Sequence, residues 1–238
     1  MLNYPQIINI QHYFTKGQPL AFGKRDVILG NLPVPDGVYY LASGYVKSYG
    51  ISDDGEEHTQ FIFGPRELFP LAWAYLGSHP RALFYEAISD CVVWRVNRDH
   101  FTQFIHSSVE AGYAMAQQLA QQHQYVYDRL ENLEYKKASE RVAYRLLFLA
   151  NRFGTRHNGW LEIAAPVTHD LLANSINLSR ESVSREFEKL ERLFIVRRSN
   201  HHILILDPTR LARRMSEPAN LYNWRFPEPE KEKEGNGV

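Results

Sequence analysis

Residues 168–190, THDLLANSINLSRESVSREFEKL, decide how this chain is read. Thr168 can cap a helix through its hydroxyl, and Asp170 suits the positive first turn. Leu171, Leu172 and Ile176 give that helix an apolar stripe, and Ala173 is small enough for another helix to cross closely. Asn177 stands where the chain must turn, and Asn tolerates positive φ. Ser179 can cap a second helix. There Val183, Phe187 and Leu190 fall at i, i+4 and i+7 and face one way. Arg180, Glu181, Ser184, Arg185 and Glu188 fall on the other face. Arg can bond O6 and N7 of guanine, Glu can accept from cytosine N4, and Ser can do either. An amphipathic surface helix with alternating charges would look similar. The capped helix and turn ahead of it favour DNA recognition.

The 238 residues suffice for two domains, each with a core. Net charge is zero but segregated. Residues 1–135 carry 9 basic and 14 acidic side chains, whereas residues 136–214 carry 15 basic and 8 acidic. A basic block behind an acidic one fits DNA binding by one domain only. The single cysteine, Cys91, excludes disulfides within the chain and a four-cysteine iron–sulfur or zinc site. The histidines lack metal-ligand spacing, and neither a nucleophile elbow nor a Gly-rich phosphate loop occurs. No apolar run reaches membrane-spanning length, and the first residues lack a signal peptide's layout. These features predict a cytoplasmic protein that is not an enzyme and binds no metal.

Outward from the central stretch, residues 17–96 have the texture of short strands between turns. Asp53-Asp54-Gly55 fits a hairpin joining 45–51 to 57–63. Many short strands without helices between them imply an antiparallel barrel or roll. Asn97 can cap a brief helix to about Ile105. Ser107 or Ser108 then starts a long helix to about Glu134. Its heptads place Val109, Ala116, His123 and Leu130 at a, and Gly112, Leu119, Val126 and Leu133 at d, a seam suited to a second copy. A helix packed on its own domain is the alternative. A helix over 138–153, a strand over 160–163, a hairpin of 194–198 with 203–206, and a helix over 209–215 complete the pattern. His201 and His202 fall on that hairpin, near phosphate if anywhere. The predicted organisation is a β-roll domain, 1–107, a dimerisation helix, 108–135, a winged helix-turn-helix, 136–216, and a Pro-, Glu- and Lys-rich disordered tail, 217–238. The fold class is α+β.

The stretch NLSRESVSREFEKLE at 177–191 resembles the Crp/Fnr family of bacterial transcription regulators. The sensor half, with VYYLASGYVKSY at 38–49 and DDGEEHTQFIFGPREL at 53–68, is similar more loosely. Arg180, Glu181 and Arg185 match the base-reading residues of the cyclic-AMP receptor branch. Glu181, Ser184 and Arg185 match the fumarate–nitrate regulator branch. The resemblance implies a homodimer on a palindromic operator, contacted through Thr168, Ser179, Arg180, Glu181, Ser184 and Arg185. RNA polymerase is a further implied partner.

Cyclic-nucleotide-binding members carry Gly-Glu before a short helix and Arg-Ser or Arg-Thr after it. There the helix start, Arg and hydroxyl hold a cyclic phosphate, and Glu holds the ribose. Here Pro70 and Leu71 replace Gly-Glu, and Ala82 follows Arg81. The expectation is that cyclic AMP is not bound and that no cofactor is required. The aromatic cluster around this segment is core, or else a pocket for a partly apolar effector lined by Phe63, Trp73, Tyr75, Arg81, Phe84 and Tyr85. Two other readings stay open: a constitutive regulator without effector, and a ligand-binding or protein-interaction module whose winged helix meets no DNA.

Overall fold

Alternation along VYYLAS at 38–43 sends Tyr39 and Leu41 into one apolar cluster and Val38 and Tyr40 into another. A strand buried on both faces must lie between two layers, and the first half of the molecule is built that way. The structure is a computed structural model that describes residues 10–30, 34–77, 83–157, 159–199 and 202–215. The chain divides into two compact units, Met1–Asp128 and Arg129–Val238.

Among the described residues of the first unit, eight strands form two antiparallel sheets. They are β1 (Leu20–Phe22), β2 (Val27–Leu29), β3 (Val38–Ser43), β4 (Val46–Ile51), β5 (Glu57–Phe63), β6 (Leu68–Phe69), β7 (Phe84–Ala87) and β8 (Cys91–Val96). One sheet has the order β1-β8-β3-β6 and the other β2-β7-β4-β5. The β4–β5 hairpin pairs Val46 with Phe63 and Ile51 with Glu57, closing at Gly55 with φ 83°. At the β3–β4 turn Gly44 has φ 87°, and a Cβ there would lie 2.3 Å from the Asp90 carbonyl oxygen, so only glycine fits.

Tyr39, Leu41, Val46, Phe63, Phe69, Tyr85, Ala87 and Val93 form one core. Helices cover the second core. They are α1 (Leu71–Leu76), α2 (Arg98–Ser107), capped by Asn97 through the His100 N–H, and α3 (Val109–Glu134). The α2 helix runs two residues past the expected Ile105. Ser108 Oγ accepts from the Ala111 N–H and so starts α3. Ala111, Ala114 and Met115 are buried. Gln118 accepts from Leu68 N–H at 3.1 Å and donates to the Arg66 carbonyl at 3.0 Å, while Gln122 donates to the Leu68 carbonyl at 3.1 Å. These glutamines satisfy the free edge of β6, which a leucine in their place would leave unpaired.

The second unit is built on α4 (Ala138–Phe153), almost wholly buried, as its apolar residues Val142, Leu146, Leu149 and Ala150 require. Helices α5 (His169–Ile176), α6 (Arg180–Arg192) and α7 (Pro208–Ala212) pack around it. The α7 helix is shorter than the expected span to Met215, with Asp207 capping it through Arg210 N–H. Strands β9 (Gly154–His157), β10 (Trp160–Ile163), β11 (Val196–Ser199) and β12 (His202–Ile205) form a sheet of order β11-β12-β10-β9. The β9 strand was absent from the sequence-based expectation. The wing starts at Val196 rather than 194, because Phe194 takes φ 55° and turns the chain out of the helix. The expected tail, 217–238, and His201 lie outside the described residues.

Candidate nucleic-acid interface

The two helices of the central stretch are capped by the side chains expected of them. Thr168 Oγ1 accepts from Leu171 N–H at 3.1 Å, and Asp170 lies in the first turn. Asn177 ends α5 in the left-handed region at φ 51°, ψ 53°, and its N–H bonds the Ala173 carbonyl. Ser179 Oγ accepts from Ser182 N–H at 3.2 Å to start α6. Val183, Phe187 and Leu190 are buried, anchoring one face of α6. Arg180, Glu181 and Arg185 are exposed on the other, with Ser184 half-buried among them.

Each polar side chain there has a local partner. Arg180 Nε lies 3.5 Å from Asp170 Oδ1, an exposed pair that water screens and another anion can displace. Arg185 Nη2 donates weakly to Ser182 Oγ at 3.4 Å. Glu181 is held below the usual carboxylate range, first by the backbone N–H at the helix start, then by Ser179 and the flanking arginines. It is therefore ionised at neutral pH and can only accept hydrogen bonds. Ser184 Oγ lies 2.9 Å from His169 Nδ1, a contact between the two helices that sequence reasoning did not anticipate. Arg197 and Arg198 on β11 are exposed and add cationic surface to the unit. His202 falls on the wing strand β12, as expected, and its ring bonds Glu162 on the paired strand β10.

The predicted seam of α3 falls largely on its uncovered side. Val109 is 85% exposed, Val126 52% and Leu130 54%, and Ala116 and His123 are also exposed. Gly112, Leu119 and Leu133 are half-buried, and Leu119 packs on the first unit's own core. Tyr113 and Tyr127 are exposed beside the seam and were not anticipated; the His123 ring meets Tyr127 edge-on at 4.6 Å.

Of the six residues expected to line an effector pocket, the five that are described do not share one cluster. Phe63 and Tyr85 pack with Phe69 inside the sheet core at ring separations of 5.1–5.8 Å. Trp73 belongs to the other core. Tyr75 is partly exposed and meets Phe101 edge-on, and Phe84 stacks on Tyr49. Strand alternation separates side chains that are close in sequence. Arg81 and Ala82 lie outside the described residues. Where a helix N-terminus would greet a phosphate, Pro70 has no N–H to give and Leu71 is 2% exposed in the apolar core. Among the described residues no group of three His, Cys, Asp or Glu could hold a metal ion, and no helix is long and apolar enough to cross a membrane.

Residues 19–108 match the model of the cyclic nucleotide-binding domain, and residues 140–214 that of the Crp-like helix-turn-helix domain. The chain is 28% identical over 197 residues to the CRP-like cAMP-activated global transcriptional regulator of Mycobacterium tuberculosis, covering 83% of this chain and 88% of that protein. It is 29% identical over 199 residues to the nitrogen fixation regulation protein FixK of Azorhizobium caulinodans, covering 83% and 79%. The solved structure of FixK2 from Bradyrhizobium japonicum shares the fold, with a TM-score of 0.70 at 24% identity, over 84% of this chain and 98% of that one.

Proposed function

Because the chain belongs to the Crp/Fnr family of transcription regulators, we propose that it binds a palindromic operator as a homodimer and responds to something other than a cyclic nucleotide. The observation that carries this reading is the exposed set Arg180, Glu181 and Arg185 on a helix anchored by Val183, Phe187 and Leu190. Thr168 and Ser179, already engaged as caps, put helix N-termini toward phosphates. Arg180 and Arg185 read guanines, with Glu181 and Ser184 between them. The exposed apolar residues of α3 pair with their copies, because a palindrome needs two recognition helices related by a two-fold axis. RNA polymerase is the further partner in this reading.

The Mycobacterium relative is described as cAMP-activated. In this chain Pro70 and Leu71 remove an N–H donor and a ribose acceptor from the segment where that activation would begin. A buried anion without partners is strongly disfavoured. The close ring packing of Phe63, Phe69 and Tyr85 favours a second reading, a regulator that needs no effector at all.

Electrophoretic shift with genomic fragments at several salt concentrations tests the DNA reading. Binding through phosphates weakens steeply as salt rises. A protein-interaction module would shift no fragment at any salt.

A further inference from the structure

His169 opens α5 and touches the recognition helix at two places. Its Nδ1 lies 2.9 Å from Ser184 Oγ, and its ring centroid lies 5.0 Å from that of Phe187. Its other nitrogen, Nε2, is enclosed and has no hydrogen-bond partner among the described residues. Arg198 of β11 lies over the Phe187 ring at 5.7 Å. The charged groups facing the imidazole are Asp170 on its own helix, Arg180 and Glu191 on α6, and Arg198 on β11. Burial, then Arg198 and Arg180, lower its pKa below the ordinary value, so the ring is neutral at pH 7.

A neutral imidazole has one N–H and one lone pair, and the side that carries the proton decides what Ser184 can offer. With the proton on Nε2, Nδ1 accepts the Ser184 O–H, and the hydroxyl faces DNA with lone pairs only. It then reads amino groups, cytosine N4 or adenine N6. With the proton on Nδ1, the ring donates to Ser184 Oγ, and the hydroxyl hydrogen turns outward. It then reads acceptors: guanine O6 or N7, adenine N7, or thymine O4.

The surroundings select between the two. An orphaned buried N–H is rarer and costlier than an unfilled acceptor. The geometry points to His169 as a specificity-determining residue that holds the Nδ1–H tautomer and frees the Ser184 hydroxyl hydrogen to donate toward the base it meets. This rests on the DNA-binding reading above for its consequence, but not for the tautomer itself.

The test has two arms. Long-range proton–nitrogen correlation spectra of the full chain, labelled with nitrogen-15 histidine and free of DNA at pH 8, report the tautomer directly. The inference expects Nδ1–H at His169, assigned by loss of the signal in His169→Phe; an Nε2–H signal overturns it. The second arm measures operators varied at the base pair that Ser184→Ala desensitises. Wild type should prefer an acceptor-bearing base there by about fivefold, the scale of one hydrogen bond. His169→Asn, which can donate from a similar place, should keep the preference, and His169→Phe should lose it. Circular dichroism and melting show that each variant is folded. A His169→Phe protein with the wild-type preference overturns the inference while leaving DNA recognition intact. Equal wild-type binding to every sequence overturns base reading and the role of His169 together.

Discussion

Arg141 Nε donates to the Tyr135 carbonyl at 2.7 Å. The same guanidinium donates to the Leu133 carbonyl at 3.2 Å and the Ile176 carbonyl at 3.3 Å. One cation from α4 thus satisfies carbonyls at the ends of α3 and α5, which have no partners within their own helices. Asn132 Nδ2 donates to the Arg141 carbonyl at 3.0 Å and completes the tie. The turn of the helix-turn-helix is thereby held to the end of the long helix within one compact unit.

Removing that fork should loosen the turn. Arg141→Ala is expected to destabilise the protein by about 2 kcal/mol, the range for hydrogen bonds to a charged donor left unmade. Arg141→Lys should recover only part, since an ammonium cannot serve three carbonyls in a planar fork. Denaturant titration measures both, and Arg141→Ala within error of wild type would remove the tie's importance.

Base readout should centre on Arg185. Arg185→Ala is expected to cost about 1–3 kcal/mol on the cognate operator and to relax specificity at one position. The operator should be palindromic, with a TGA-like half-site core and half-sites about one helical turn apart. Equal losses on cognate and random DNA would make Arg185 a phosphate contact only. Arg180→Ala should behave similarly, with Asp170 then freed of its 3.5 Å partner.

The capped helices of both units were legible in the sequence because their signals are local. Thr168, Ser179, Asn97 and Asp207 each cap the helix that their position announces. The hairpin at Asp53-Asp54-Gly55 likewise follows from turn chemistry. What sequence could not give depends on long-range packing. Strand β9 is the exception: the sequence puts the hairpin pair Asn158-Gly159 between it and β10, a local signal that the expectation did not use. The aromatic residues near α1 look like one cluster, yet Phe63, Phe69 and Tyr85 lie in the sheet core while Trp73, on helix α1, lies in the other. The His169–Ser184 contact needs two helices to cross at one particular height, which no spacing within either helix reveals.

The α3 seam should be the dimer contact. Val126 and Leu130 are more than half exposed in the single chain and serve no core of it. Val126→Asp with Leu130→Asp should give folded monomers that lose operator binding, read by sedimentation and by shift assays. A double mutant that stays dimeric would move the interface elsewhere. Leu119 is a poorer probe, because its packing on the first unit's core mixes dimerisation with folding.

Cyclic nucleotides should bind weakly or not at all. Calorimetry with cyclic AMP and cyclic GMP is expected to give no heat at micromolar protein and ligand. Micromolar affinity for either would show that other donors replace those absent at Pro70 and Leu71.

Acid should destabilise the second unit through His169. Its pKa in the folded chain is lowered from the ordinary 6.5, first by burial and then by Arg198 and Arg180. The unfolded chain therefore binds a proton at a higher pH than the folded chain does. Well above pH 6.5 both states are neutral at this ring, and it makes stability independent of pH. As pH falls through 6.5 the unfolded state gains a proton first, so stability drops until the folded ring also protonates. The difference between the two proteins isolates the contribution of this ring. Melting temperatures of wild type and His169→Asn, compared from pH 8 to pH 5, should run parallel above pH 7. Below about pH 6.5 the wild type should fall more steeply. Parallel curves over the whole range would mean that the imidazole is no harder to protonate in the folded chain than in the unfolded one.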